Sequence, residues 1–344
     1  MRSMLSKLYL KTATPGGSYL VNPTIEQIDF KKYRFYANDS ASMFNRNIFC
    51  RPFWLEAWWE HFGKGNTLLL LAVKNEEQLL GLIPLMTIGK TATFMGDTDV
   101  CDYQDIIAAS GTAEAVCNGL LDYAEAEGVS LFDLGHVRPE SIVIKVLAEV
   151  AQNRGLSVRV TEEAVSMDMA LPQSWEVYLE ELTAKQKHEV ERKMRRLVGG
   201  GNPDYSWQMF QKDLPELMNI FVSLFRDCDG EKGGFMNEKM AAYFSTLSML
   251  AADEGFLRMG ILKYPEDILG MILGFVDGGV YYLYNSAYSP QYKFYSAGLL
   301  SKIYGIKECI ENKIETWDFL KGEEAYKRHL GGRRVPLYRC VINI

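Results

Sequence analysis

An internal repeat constrains the fold of this chain more than any other feature of its 344 residues. Residues 71–83 and residues 260–272 align without a gap at an offset of 189 (260 − 71). Both segments read as a strand, a polar turn and a second strand. The matched pairs include Lys74 with Lys263, Glu77 with Glu266, and Gly81 with Gly270. The two halves of the chain are therefore predicted to share a hairpin.

The likeness continues beyond the hairpin. Each half proceeds through an amphipathic helix to a short strand that contains an aspartate, Asp133 in the first half and Asp318 in the second. The separations from the matched glycines are 52 residues (133 − 81) and 48 residues (318 − 270). Two apolar hairpins often resemble each other by chance, but the matched order, spacing and final aspartate favour a duplication.

The duplication predicts the fold class. Each unit would consist of three strands, a helix and a fourth strand, which is a mixed α/β layer with helices packed on the sheet. The predicted domains are residues 1–165 and 166–344. No flexible linker separates them, so we expect tight packing between the units.

Local signals predict the individual elements. The predicted helices cover 52–62, 113–127, 175–198 with a break at Thr183, 214–226, 238–252 and 299–312. The predicted strands of the second half cover 256–263, 267–277 and 279–288. A Thr-x-x-Gln capping box begins at Thr183, and the glycines at 199–201 end that helix.

Composition and motifs exclude several classes of function. The formal net charge is −7, so an overall basic surface for nucleic acid is absent. The six cysteines show no C-x-x-C spacing, residues 1–17 show no signal peptide, and the apolar runs are too short to span a membrane. We therefore expect a soluble cytoplasmic protein. Pro84 stands where a P-loop needs glycine, and the four histidines show no metal-binding pair, so no metal is expected.

One turn has the chemistry of an anion site. Ser296, Ala297 and Gly298 precede a helix that begins near Leu299. Free backbone N–H groups at the positive end of a helix can hold a pyrophosphate. Many Ser/Gly helix starts are only caps, so this pattern alone leaves both interpretations open.

Two charged segments accompany this turn. Residues 318–328 gather Asp318, Lys321, Glu324, Tyr326 and Lys327 after a strand, although acidic residues and a spaced lysine also stabilise an ordinary first helical turn. A basic helix over 185–196 places Lys185, His188, Arg192 and Arg195 along one face, which is either solvated or faces an anionic substrate.

These segments resemble the GNAT-superfamily acyltransferases of the CelD-like group, also called BioF-like acetyltransferases, which are related to the FemXAB peptidyltransferases. The resemblance covers about residues 45–335. It is carried by the segments 52–59, 79–85, 185–196, 295–300 and 317–327, of which the last, with a D-F-x-x-G-x-E-x-Y-K pattern, is the most specific. It implies tandem GNAT-like domains, the first degenerate and the second active. Ser-Ala-Gly replaces the Ser-Pro-Gly of many members, and the usual Q/R-x-x-G-x-G/A loop for coenzyme A is absent.

The resemblance also implies a reaction and roles for residues. An acyl group, usually acetyl, passes from acyl-CoA to an amine or hydroxyl of a small, saccharide or peptide acceptor. The implied catalytic residues are Glu324 as base, Tyr326 as acid, and Lys327. The implied donor-binding residues are Ser296, Ala297, Gly298, Leu299 and Lys321. The implied substrate-binding residues are Arg226, Tyr288, Asp318 and Arg192.

Two other functions remain open at this stage. A FemXAB-like enzyme would transfer an aminoacyl group from charged tRNA, which the basic helix would bind. A non-catalytic tandem GNAT-like protein would keep the fold without the activity. The acceptor is unknown, and the sequence leaves a homodimer open.

Overall fold

The computed structural model describes residues 23–39, 47–96, 99–227 and 234–344. The expectation about a signal peptide in residues 1–17, and Cys228, lie outside these ranges. The cysteines at 50, 101, 117, 309 and 340 are buried free thiols. Within the described ranges, no helix has both the length and the apolar character needed to cross a membrane.

Strands from both halves join in one sheet. The strands are β1 (Thr24–Ile28), β2 (Thr67–Asn75), β3 (Gln78–Ile88), β4 (Thr91–Phe94), β5 (Ile107–Ala108), β6 (Leu131–Val137), β7 (Ser157–Ala170), β8 (Asp204–Gln208), β9 (Met259–Lys263), β10 (Ile268–Asp277), β11 (Val280–Tyr288), β12 (Thr316–Lys321) and β13 (Arg333–Asn343). Their order is β1-β2-β3-β4-β6-β13-β7-β12-β11-β10-β9-β8, and β5 pairs with β3.

Helices cover the sheet. They are α1 (Phe30–Asp39), α2 (Pro52–Phe62), α3 (Ala113–Glu127), α4 (Ala148–Asn153), α5 (Trp175–Glu181), α6 (Ala184–Gly200), α7 (Leu214–Arg226), α8 (Glu238–Asp253), α9 (Ala297–Glu311) and α10 (Ala325–His329). The predicted bounds of α2, α3 and α7 are confirmed. Thr183 caps α6 in a complete capping box with Gln186, as predicted.

The strand order confirms the predicted fold class. Reading inward from either edge gives the same series, since β1-β2-β3-β4-β6 mirrors β8-β9-β10-β11-β12. In each series the parallel pair, β4 with β6 or β11 with β12, is joined through a helix, α3 or α9. The result is a mixed sheet flanked by helices, with the two repeats arranged about its centre.

The halves exchange their last strands at that centre. β7 follows the first repeat but pairs with β12, and β13 follows the second repeat but pairs with β6. β13 pairs along its whole length with residues 157–168 of β7. The predicted division into 1–165 and 166–344 stays a prediction, and its boundary falls inside β7.

The apolar core joins the halves and supports the second repeat. In the largest cluster Phe53 of α2 stacks on Phe256, with ring centroids 5.1 Å apart. The rings of Trp54 and Phe275 pack in a T-shaped arrangement, with centroids 5.2 Å apart. A separate cluster lies beneath α9, where Trp317 stacks on Tyr281 at 4.4 Å. Burial of these large rings fixes α9 against the sheet.

Candidate functional site

A cleft lies between α6 and the start of α9. It has two chambers, of about 300 Å³ and about 610 Å³, which we call the small and the large chamber. Lys193, Leu299 and Tyr326 line both, so the chambers adjoin. The small chamber is also lined by Ser286, Tyr288, Lys293, Ser296, Ala297, Gly298 and Lys302. The large chamber is also lined by Thr183, Lys185, Gln186, Glu189, Val190, His329 and Leu330.

A bulge in β11 directs side chains into the small chamber. Leu273 pairs with Asn285 and Gly274 pairs with Leu283, so Tyr284 is an extra residue on β11. An extra residue reverses the alternation of faces along a strand. Tyr284 therefore packs in the core that joins the halves, whereas Tyr288 lies on the α9 side.

The start of α9 forms one wall of the small chamber. Ser296 has φ 60° and ψ 39°, a left-handed conformation that is uncommon for serine. The turn carries the chain into α9; of its first N–H groups, those of Leu299 and Leu300 bond the Ser296 carbonyl, and those of Ala297 and Gly298 lie at the chamber wall. With the 15-residue helix behind them, these groups present partial positive charge to the chamber.

Lysines add full positive charge around the same wall. Lys193 Nζ lies 2.8 Å from Ser296 Oγ and 3.2 Å from Glu189 Oε1. Lys302 is buried, and its Nζ donates to Ser286 Oγ at 2.8 Å and to the Gly298 carbonyl at 2.7 Å. Together with Lys293 they give the small chamber the electrostatics of an anion site.

Tyr326 stands where the chambers meet. Burial raises the pKa of its hydroxyl, and the negative charge of Glu324 raises it further. Lys302 Nζ lies 5.1 Å from the centre of its ring. Tyr326 is therefore a protonated phenol at neutral pH, suited to donate a hydrogen bond or a proton.

Lys327 holds the turn before Tyr326. Its side chain is 2% exposed, and Nζ donates to the carbonyls of Leu320 at 3.2 Å, Lys321 at 2.6 Å and Gly322 at 3.2 Å. Nζ also pairs with Glu324 at 2.9 Å. These contacts direct Lys327 into the turn rather than into either chamber.

The other predicted site residues line neither chamber. Glu324 is 57% exposed, and the backbone N–H of Lys321 bonds Asp102 Oδ2 at 3.0 Å. Arg192 pairs with Glu189 at 2.8 Å, and Arg226 bonds the Met236 carbonyl at 2.9 Å. The predicted residues that the structure gathers in the cleft are Tyr288, Ser296, Ala297, Gly298, Leu299 and Tyr326.

Asp318 lies in a buried polar network between the halves. The Tyr103 hydroxyl donates to Asp318 Oδ2 at 2.6 Å. The Arg138 guanidinium donates to the same oxygen at 3.2 Å and also to Asp168 Oδ2 at 2.5 Å. Burial raises the pKa of Asp318 to about 6, despite the Arg138 charge.

This shift predicts a pH-dependent stability. A carboxyl group whose pKa is higher in the folded than in the unfolded chain favours folding while it is protonated. The free energy of unfolding should therefore fall by up to about 3 kcal/mol as the pH rises from about 4 to about 6. Urea titrations across this range should show a smaller slope for Asp318→Asn than for the wild type. Equal slopes would contradict the assignment.

Sequence reasoning missed several residues of the cleft. Lys193 belongs to the basic helix. It lies three residues after the buried Val190, and this spacing places both side chains on the face of α6 that packs against the protein. Lys302 follows Leu299 and Leu300 on α9, where nothing in the sequence indicates a buried ammonium group. Ser286 reaches the chamber only because of the bulge at Tyr284.

Comparisons with known proteins agree with this fold. Residues 184–328 match the family model described as an acetyltransferase (GNAT) domain. A search of curated proteins found no match. A crystal structure of FemX matches with a TM-score of 0.62 and 12% identity, over 92% of this chain and 96% of that one.

Two further solved structures show the same fold. A conserved protein of unknown function from Bacteroides thetaiotaomicron has a TM-score of 0.60 and 13% identity, over 93% of this chain and 99% of that one. The C-terminal domain of a putative lysylphosphatidylglycerol synthetase from Agrobacterium fabrum matches with a TM-score of 0.57 and 11% identity. This match covers 91% of this chain and 92% of that one. The matched family segment contains α6, β11, α9 and the 318–328 segment, and so both walls of the cleft.

Proposed function

We propose that this chain, which carries an acetyltransferase (GNAT) domain over residues 184–328, transfers an acyl group from acyl-CoA to an amine or hydroxyl acceptor. The observation that carries the proposal is the small chamber, where the start of α9 and three lysines surround one cavity. A pyrophosphate needs this combination of N–H donors and cations.

The corresponding helix start in the first half is built differently. At the start of α3 the Thr112 hydroxyl donates to the carbonyls of Leu80 at 2.8 Å and Ala109 at 2.9 Å. This contact ties the helix start to β3. It supports the proposal that only the second half binds a donor.

The reaction needs two proton transfers, each of which requires a side chain. The acceptor attacks the thioester carbonyl, a C–N or C–O bond forms, the C–S bond breaks, and the acceptor proton must leave while the thiolate gains a proton. We assign the second proton transfer to Tyr326, whose phenol is protonated before the reaction, gives its proton to the thiolate and regains one from water. Glu324 would accept the first proton through water, and Lys327 would position both by holding their turn.

Removing the phenol should slow the reaction. We expect Tyr326→Phe to lower kcat at least about tenfold, with little change in donor affinity, because general acid catalysis contributes on this scale or more. Glu324→Gln should lower kcat similarly. Steady-state kinetics with acetyl-CoA would measure both. Tyr304→Phe is the matched control, since Tyr304 is half-buried on α9 and lines neither chamber. Wild-type rates in both test variants would reject these roles.

Donor binding can be tested directly by calorimetry with coenzyme A and several acyl-CoAs. We expect one molecule bound per chain. Failure of all these ligands to bind would contradict the proposal.

A second candidate is aminoacyl transfer from tRNA. The observation in its favour is that Lys185, His188 and Arg195 lie exposed on α6 beside the cleft. Against it stands the net charge of −7. Two results together would favour this candidate: tight tRNA binding that weakens steeply as the salt concentration rises, and no binding of coenzyme A.

A further inference from the structure

Phe294 is the most exposed of the large apolar side chains in the described ranges. Its side chain is 69% exposed. Single exposed apolar side chains are common on protein surfaces, but this one stands next to residues that line a cationic cavity. The ring belongs to the helical turn Pro290–Tyr295 that leads into α9.

The ring is held in place despite its exposure. Arg196 of α6 donates to the Phe294 carbonyl at 3.1 Å, and its guanidinium carbon lies 4.8 Å from the ring centre. The neighbouring Tyr295 packs against Gly200, where a Cβ would lie 2.5 Å from the Tyr295 ring. A side chain at position 200 would therefore force the Tyr295 ring to move. The two contacts fix the turn to the end of α6.

Phe294 is next in the chain to the wall of the small chamber, although its own side chain does not line it. Lys293, one residue before it, and Ser296, two residues after it, both line that chamber. A ligand whose phosphates occupy the start of α9 would have its next group near this ring. An exposed ring with a guanidinium on one side is a platform for a flat aromatic group.

We propose that Phe294, backed by Arg196, stacks against the purine base of the acyl donor. This inference rests on the proposed function and extends it, because the protein would then bind the nucleotide end of the donor as well as its phosphates. The protein would then distinguish coenzyme A from carriers that have the same pantetheine arm without a base.

Calorimetry on the full chain with three probes tests the inference. The probes are coenzyme A, adenosine 3′,5′-bisphosphate and 4′-phosphopantetheine. We expect Phe294→Ala to raise the Kd of the two base-containing probes about tenfold, the scale measured for loss of a base–aromatic stack. The Kd of 4′-phosphopantetheine should not change. Phe294→Trp should keep wild-type affinity for the base-containing probes.

The control is Phe210→Ala. Phe210 is 67% exposed, and neither it nor its chain neighbours line a chamber, so its removal should leave every Kd unchanged. If coenzyme A binds the wild type and Phe294→Ala equally well, or if the variant weakens all three probes equally, the base site is wrong and the proposed function stands. If the wild type binds none of the probes, the proposed function fails and the base site fails with it.

Discussion

Replacing Lys193 by glutamate is expected to weaken coenzyme A binding about a hundredfold, or roughly 3 kcal/mol. Lys193 lines both chambers, and its Nζ lies 2.8 Å from Ser296 Oγ at the start of α9. The substitution removes a cation from the anion site and adds a carboxylate that repels phosphate. Calorimetry would measure the change in Kd.

Arg195→Glu is the matched control for this charge reversal. It alters the net charge by the same amount on the same helix, but the Arg195 side chain is 65% exposed and lines neither chamber. We expect it to change the Kd less than about threefold, because exposed charges are well screened. An equal rise in Kd in both variants would show that α6 affects binding only through the net charge of the protein. Circular dichroism would establish that both variants remain folded.

The second large effect concerns stability. Arg138→Ala should lower the free energy of unfolding by about 3–5 kcal/mol, because breaking a buried ion pair leaves an uncompensated charge. Arg138 is 18% exposed, and the carboxylate of Asp318 that it contacts is 3% exposed. The same guanidinium also bonds Asp168 and Glu140, so its loss removes contacts on β7 and β12 together. Urea unfolding would measure the loss.

Arg334→Ala provides the comparison for Arg138→Ala. Arg334 pairs with Glu162 and Glu323, but its side chain is 47% exposed, so we expect a loss below about 1 kcal/mol. The double variant Arg138→Ala/Asp318→Asn should recover part of the loss, since the stranded carboxylate is gone. A loss below about 1 kcal/mol for Arg138→Ala itself would contradict the buried-network interpretation.

Several parts of the site were predictable because they depend on neighbours in the chain. The Thr183 capping box, the turn 296–298 and the helix after it all follow from local hydrogen bonding and propensity. Tyr326 was found through the spacing of the 318–327 pattern. Its hydroxyl chemistry was inferred from residue type, whereas its burial and its place between the chambers are tertiary facts.

Other parts depend on contacts that sequence spacing does not encode. Lys327 carries a charge that would usually face solvent, yet three carbonyls of the turn 320–322 and Glu324 surround its ammonium group. Asp318 has the sequence pattern of a site residue, but it lies inside β12, where Tyr103 and Arg138 enclose it. These two side chains lie more than 170 residues from Asp318 in the chain.

The sequence by itself determined the repeated α/β unit, most helix bounds and the turn at 296–298, because hydrophobic periodicity, caps and turn residues act over a few positions. The tertiary structure alone decided that β7 and β13 change places between the repeats. It also decided that the bulge at Tyr284 directs Ser286 and Tyr288 toward α9, and that Lys193 and Lys302 meet there. The physical reason is that strand pairing, bulges and buried charges depend on partners distant in the chain, whose positions follow only once the whole sheet has formed.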